Sequence, residues 1–153
     1  RLNSETISAS EVAELLDGVL EDSKKQLSKE KKTEYYNFLL YGNYIEKLYL
    51  ISSVLNESKS SDLPEAVLAN LNRSLLLLMA KQSKPLKKVS KLMVDYSSTI
   101  VAHRDIQALL KSYEALAKNA PEIVKLSPAQ IYEHKNITDI QKQVGEIRER
   151  IVK

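Results

Sequence analysis

At 153 residues the chain is the size of one domain, and its 43% apolar content is enough for one hydrophobic core. Having no cysteine excludes a disulfide framework, a thiol nucleophile and a Cys-based metal site, and three Gly and four Pro leave few turn residues for hairpins. A net charge of +3 is too small to make nucleic acid the overall partner. These bounds predict an all-α protein: a single domain over 1–153, folded as an antiparallel helical bundle of five or six helices. The chain starts at Arg1 rather than Met, so an upstream segment is expected to have been removed.

After a lead-in over 1–7, Ser8-Ala9-Ser10-Glu11 fits a capping box flanked by Ile7 and Val12 as a hydrophobic staple. A first helix is predicted from Ala9 to about Ser28, with Val12, Leu15, Leu16, Val19, Leu20 and Leu27 on one face. Thr33 is placed to cap the next helix, over about 33–57, antiparallel to the first. Outside its ends, the stretch from Tyr35 to Leu55 carries only Asn43, Glu46 and Lys47 as strongly polar residues, all within one narrow stripe. Apolar residues cover the rest of the circumference, which predicts a buried central helix. The polar interruptions are too frequent for a bilayer span, and no other stretch is a transmembrane candidate.

Asp62-Leu63-Pro64-Glu65 supplies an N-cap, an early proline and an acid at N3 for a helix over 63–81, with Leu68, Leu71, Leu75, Leu78 and Met79 as its stripe. Lys84-Pro85 interrupts the pattern, and Pro85 suits the first turn of another helix. From there Val89, Met93, Tyr96 and Ile100 keep helical spacing. The stripe shifts near His103 and resumes at Ile106, Leu109, Leu110, Tyr113 and Leu116, so a break is predicted over 101–105. Residues 119–137 contain two prolines and no sustained period, which predicts a wrapping loop. Thr138 to Gln141 matches a capping box, and Ile140, Val144, Ile147 and Ile151 predict a last helix that closes the core beside the central one.

Two stretches carry a resemblance. Tyr41-Gly42-Asn43-Tyr44-Ile45-Glu46-Lys47-Leu48-Tyr49 resembles a signature, roughly Gly-Gly-Trp-Ile-Glu-x-Leu-Tyr, of an uncharacterised family of Bacteroidetes helical envelope lipoproteins, with Asn43 and Tyr44 standing where that family has Gly and Trp. Ile137-Thr138-Asp139 through Gly145-Glu146-Ile147-Arg148 resembles its closing helix. Members of the family are helical and tethered through an N-terminal lipidated Cys. The resemblance implies an exported, lipid-anchored envelope address, and it transfers no catalytic residue.

Gly42 inside a buried helix costs about 1 kcal/mol, usually compensated by the close approach of a neighbour. A ligand seated beside Asn43, Glu46 and Tyr49 is the functional alternative. Glu46 is the one acid in the central apolar stretch, and Arg73 is its expected partner. His103-Arg104-Asp105 copies a kinase catalytic-loop tripeptide by chance, since the residues that should follow are missing and there is no Gly-rich loop. His103 and His134 lack partners at metal-site spacing. Tyr35, Tyr41, Tyr44, Tyr49 and Tyr96 keep helical spacing with aliphatics, which points to core packing.

No acid lies between Glu65 and Asp95, while Arg73, Lys81, Lys84, Lys87, Lys88 and Lys91 contribute six positive charges. Lys81 and Lys84 read as the end of one helix and Lys87 and Lys88 as the start of the next, where they oppose the helix dipole. The lysines form a basic edge suited to an anionic partner. The sequence therefore predicts a non-enzymatic helical interaction module with no cofactor and no metal, contacting a protein or an anionic surface. Its alternatives are a small-ligand sensor or carrier with a pocket lined by Tyr44, Glu46 and Arg73, and a cytosolic nucleic-acid binder using the 81–91 edge.

Overall fold

The structure is a computed structural model that describes residues 19, 22–29, 32–94 and 100–152. Among these there are six helices, no strand, and a further helical stretch over 22–29. The six are α1 (Thr33–Glu57), α2 (Glu65–Ala80), α3 (Ser83–Leu92), α4 (Ile100–Ile123), α5 (Pro128–Glu133) and α6 (Lys135–Val152), with a 3-10 turn at Ser58–Ser60 after α1. The protein is an all-α helical bundle. The chain divides into two compact units, Arg1–Leu40 and Tyr41–Lys153, with the boundary inside α1. The capping box at 8–11 and the start of the first helix lie outside the described residues, as does Tyr96.

Within Tyr41–Lys153 the element with the longest buried stripe is α4. Ala102, Ile106, Leu109, Leu110, Tyr113, Leu116, Ala120 and Ile123 recur every three or four residues and are all buried, so one face of the helix is continuously apolar. Helices α2, α3 and α6 each pack on α4. Helix α2 contributes Leu76 and Met79, α3 contributes Leu86, with Met93 just past its end, and α6 contributes Ile137, Ile140, Val144 and Ile147. The short α5 touches α2, α6 and the 3-10 turn. Helix α1 is buried along Tyr41, Ile45, Leu48, Ser52 and Leu55, spaced four, three, four and three. Its opposite side leaves Leu50 and Val54 in solvent, so the helix is buried on one face rather than all round.

Several boundaries differ from the sequence reading. Helix α2 starts at Glu65 with Pro64 as N-cap, and the Pro64 carbonyl accepts from Val67 and Leu68 while Asp62 stays outside. Its buried stripe is Asn72, Leu76 and Met79, and Leu78 is exposed. The predicted break falls earlier than 101–105: α3 ends at Leu92, and 101–105 are helical within α4. The stripe shifts because Val89, with Met93 just past the end, belongs to one helix and Ala102 and Ile106 to another that faces it. Ser90 meets Gln107 while Ser83 and Lys84 lie beside Ala117, so α3 and α4 run antiparallel.

The predicted loop over 119–137 is mostly helical. Helix α4 continues through Pro121, and α5 opens with a capping box in which Ser127 and Gln130 bond reciprocally around Pro128 at the first position. Pro128 occupies the first position, which suits proline, whereas Pro121 sits inside the last turn of α4 and has no N–H to give to the ladder there. Helix α6 begins at Lys135 rather than at a Thr138 cap, and Thr138 bonds back to the Lys135 carbonyl. The His134 ring takes the capping role, its Nδ1 accepting from the Asn136 N–H at 3.3 Å. Of the predicted closing stripe, Ile140, Val144 and Ile147 are buried and Ile151 is 42% exposed.

Gly42 is half-buried, and among the described residues no neighbour approaches it closely. A Cβ built there meets Ile151 Cγ2 at 3.9 Å, which is ordinary contact, so the expected tight packing at this residue is absent. Gly42→Ala is therefore expected to raise stability by up to about 1 kcal/mol through helix propensity and a less flexible unfolded chain. Urea denaturation checks this, and a destabilised Ala variant would show that the site requires glycine.

Candidate functional site

The six residues singled out around the central helix do not converge. Tyr44 and Glu46 are two positions apart, roughly 200° around a helix, so they serve opposite sides of α1. The Tyr44 hydroxyl donates to Gln82 Oε1 at 2.9 Å, and the buried Gln82 in turn donates from Nε2 to the Leu78 carbonyl at 2.9 Å. This ties α1 to the corner between α2 and α3. Glu46 faces the other way and accepts from Arg148 Nε at 2.7 Å. The same guanidinium lies over the Tyr49 ring, 4.3 Å from its centroid, so α1 and α6 share one cation, one acid and one ring. The hydrogen bond to Glu46 raises the Arg148 pKa.

Arg73, the expected partner of Glu46, is exposed on α2, and Asn43 is exposed on α1. Tyr44 and Glu46 thus bond on different sides of α1, so the expected lining of Tyr44, Glu46 and Arg73 is not gathered on one side of that helix. A cleft of about 220 Å³ lies instead beside Tyr49, Ser52, Asn56 and Gln141. A second arginine of α6, Arg150, donates to Asp105 of α4 at 2.8 Å, so the last turns of α6 are held on two sides. Asp105 of the kinase-like tripeptide is thus a structural ion-pair partner.

Other polar groups the sequence reading passed over are built into the interior. Ser58, Asn72 and Tyr132 form a closed triangle: Asn72 Nδ2 donates to Tyr132 Oη at 2.8 Å, Ser58 Oγ donates to Asn72 Oδ1 at 3.0 Å, and the two hydroxyls lie 3.1 Å apart. Asn72 has no solvent exposure. Its place on the 72, 76, 79 stripe was the available signal, because a polar residue at a core position requires a partner. Ser90 Oγ likewise accepts from Gln107 Nε2 at 2.6 Å, with His103 Nε2 a further 3.3 Å from that nitrogen. Ser52 Oγ and Tyr113 Oη are buried and have no partner at bonding geometry among the described residues.

Four of the five basic-edge lysines share one helix face. Lys84, Lys87, Lys88 and Lys91 follow i, i+3, i+4, i+7 spacing and all are exposed on α3, whose other face buries Leu86 and Ser90. Lys81 is exposed at the C-cap of α2. Helix α3 starts at Ser83, so Lys84 lies in its first turn, where it opposes the dipole, while Lys91 in the last turn agrees with it. None of these five lysines makes an ion pair with any of the described residues.

Among the described residues no helix is long and apolar enough to cross a membrane, and no group of three His, Cys, Asp or Glu side chains is placed to hold a metal ion. No known protein family, curated protein or solved structure matches the chain.

Two predictions follow from this geometry. In Arg148→Met the stem is kept and the guanidinium removed, so the denaturation midpoint should fall. Adding Glu46→Gln in that background should cost little more, because the shared interaction is already gone. Arg73→Gln should leave the midpoint unchanged, and additive losses at positions 46 and 148 would refute the coupling.

The second concerns alkaline pH. Burial, helped by the Asp105 charge, pushes the Tyr41 hydroxyl up to about 12 against the opposing pull of Arg150. Burial also raises Tyr44, and it raises Tyr113, where the nearby Tyr44 adds to the rise and Ser52 opposes it. A phenol whose pKa is higher folded than unfolded keeps its proton longer in the folded state. Its contribution is complete below the unfolded value near 10 and is lost as pH rises toward the folded one. Urea midpoints should therefore fall from pH 10 to 12, with three of the eight tyrosines ionising late at 295 nm. Ionisation of all eight near pH 10 in the folded protein would refute it.

Proposed function

We propose that the chain is a non-enzymatic helical interaction module that docks an acidic segment of another protein against the outward face of α3. One observation carries this: four exposed lysines at i, i+3, i+4 and i+7 make a face that forms no ion pair with the described residues. Lys84 opposes the helix dipole, and Lys87 and Lys88 repel their neighbours, so the arrangement costs stability that an anionic partner would return. The buried face of α3 is separate from it, which leaves the lysines unused by the fold.

The setting we propose is the cell envelope. It is supported by the resemblance of 41–49 and 137–148 to envelope lipoproteins, and by the contact of those two stretches through Glu46, Tyr49 and Arg148.

The test is binding to polyglutamate by anisotropy at two salt concentrations. Replacing Lys84, Lys87, Lys88 and Lys91 with Gln should weaken binding by roughly tenfold or more and leave the thermal midpoint nearly unchanged, because exposed charges contribute little to folding. Unaltered binding would overturn the reading. Preference for duplex DNA with a steep salt slope would replace it with the nucleic-acid alternative.

A further inference from the structure

We propose that the groove between the α2–α3 corner and the last turns of α4 is a binding site for a medium-chain carboxylate, with the alkyl chain in the groove and Lys81 and Lys84 on the carboxylate. The groove encloses about 460 Å³, within the usual range for small-molecule sites. Its walls are Leu77, Ala80, Ala117, Ala120 and Pro121, and no acid is among its lining residues. Three of those five are alanines, and the short side chains leave the depth. Leu77 is 43% exposed at the edge, an apolar surface that a bound chain would cover.

The polar end is equally one-sided. Lys81 and Lys84 line the groove, are exposed, and pair with none of the described residues. The N-terminus of α3 lies at the same end and has no side-chain cap, because Gln82 is committed to Tyr44 and to the Leu78 carbonyl. Two cations and the positive end of a ten-residue helix therefore meet an apolar trough. A neutral lipid would leave the charge unmatched, and a bare phosphate would leave the trough uncovered. An amphiphile with one anionic end satisfies both.

This deepens the reading of the basic edge, since Lys84 belongs to both, but Lys87, Lys88 and Lys91 do not line the groove. The experiment titrates the full chain, by calorimetry below the micellar range, with octanoate, decanoate, dodecanoate and dodecanol. One-to-one binding is expected, rising two- to fourfold per added methylene until the groove is filled. Dodecanol and the Lys81→Gln, Lys84→Gln variant should each weaken it at least fivefold. Ala117→Phe, which fills the trough, should abolish it. Circular dichroism checks the fold of that variant, and Leu77→Gln serves if it fails to fold. Non-saturable uptake, indifference to chain length, or full binding by the groove variants would overturn the proposal. Polyglutamate binding without dodecanoate binding overturns the groove alone, whereas dodecanoate binding that persists in Lys87→Gln, Lys88→Gln, Lys91→Gln without any polyglutamate binding overturns the basic-edge reading alone.

Discussion

Burial of the stripe from Ala102 to Ile123 on α4 is the constraint to which the rest of the Tyr41–Lys153 unit adjusts. A helix of 24 residues with eight buried positions can lose its contact with water only if several neighbours cover it along its length. Helices α2, α3 and α6 do so. Each fully buried aliphatic they contribute is worth about 1.5 to 3 kcal/mol. The short α3 is therefore committed on its inner side, through Leu86 and Ser90, and free on its outer side. That asymmetry lets four lysines share one face without disturbing the core.

The polar groups follow from the same constraint. Any hydroxyl or amide drawn into the interior has to find a partner there, and most do so across elements distant in sequence: Ser58 and Asn72 with Tyr132, Tyr44 with Gln82, Gln107 with Ser90. These bonds fix how the helices rotate about their axes. At the rim, Arg148 and Arg150 hold α6 to α1 and to α4. A partly solvated ion pair adds modest energy, and its geometric role is to choose one rotation among several that bury the same aliphatics. Pro121 and Pro128 are accommodated at a helix end and a helix start, which makes the connection into α6 short and ordered.

By itself the sequence determined the class, most of the α4 and α6 stripes and the run of lysines. The reason is that helical periodicity and the absence of turn residues are local properties, readable one window at a time. It misplaced ends wherever a single residue admits two roles. Pro64, Pro121 and Pro128 read equally as breakers or as members of a helical turn, and which applies depends on whether the next turn has something to pack on. The partnership of Asn72 and Ser58 could not be assigned locally, because their common partner Tyr132 is remote in the chain.

Only the tertiary structure decided pairings. Glu46 could be matched from sequence to any cation on a neighbouring helix, and Arg73 was as well placed by pattern as Arg148; the rotation of α6 against α1 chose Arg148 and laid it on Tyr49. The groove beside Lys81 and Lys84 was invisible for the same reason, since Ala117 and Ala120 signal nothing until the α2–α3 corner is laid against them. Periodicity specifies which face of a helix is apolar, but which other face it meets, and in what register, is a property of the packed whole.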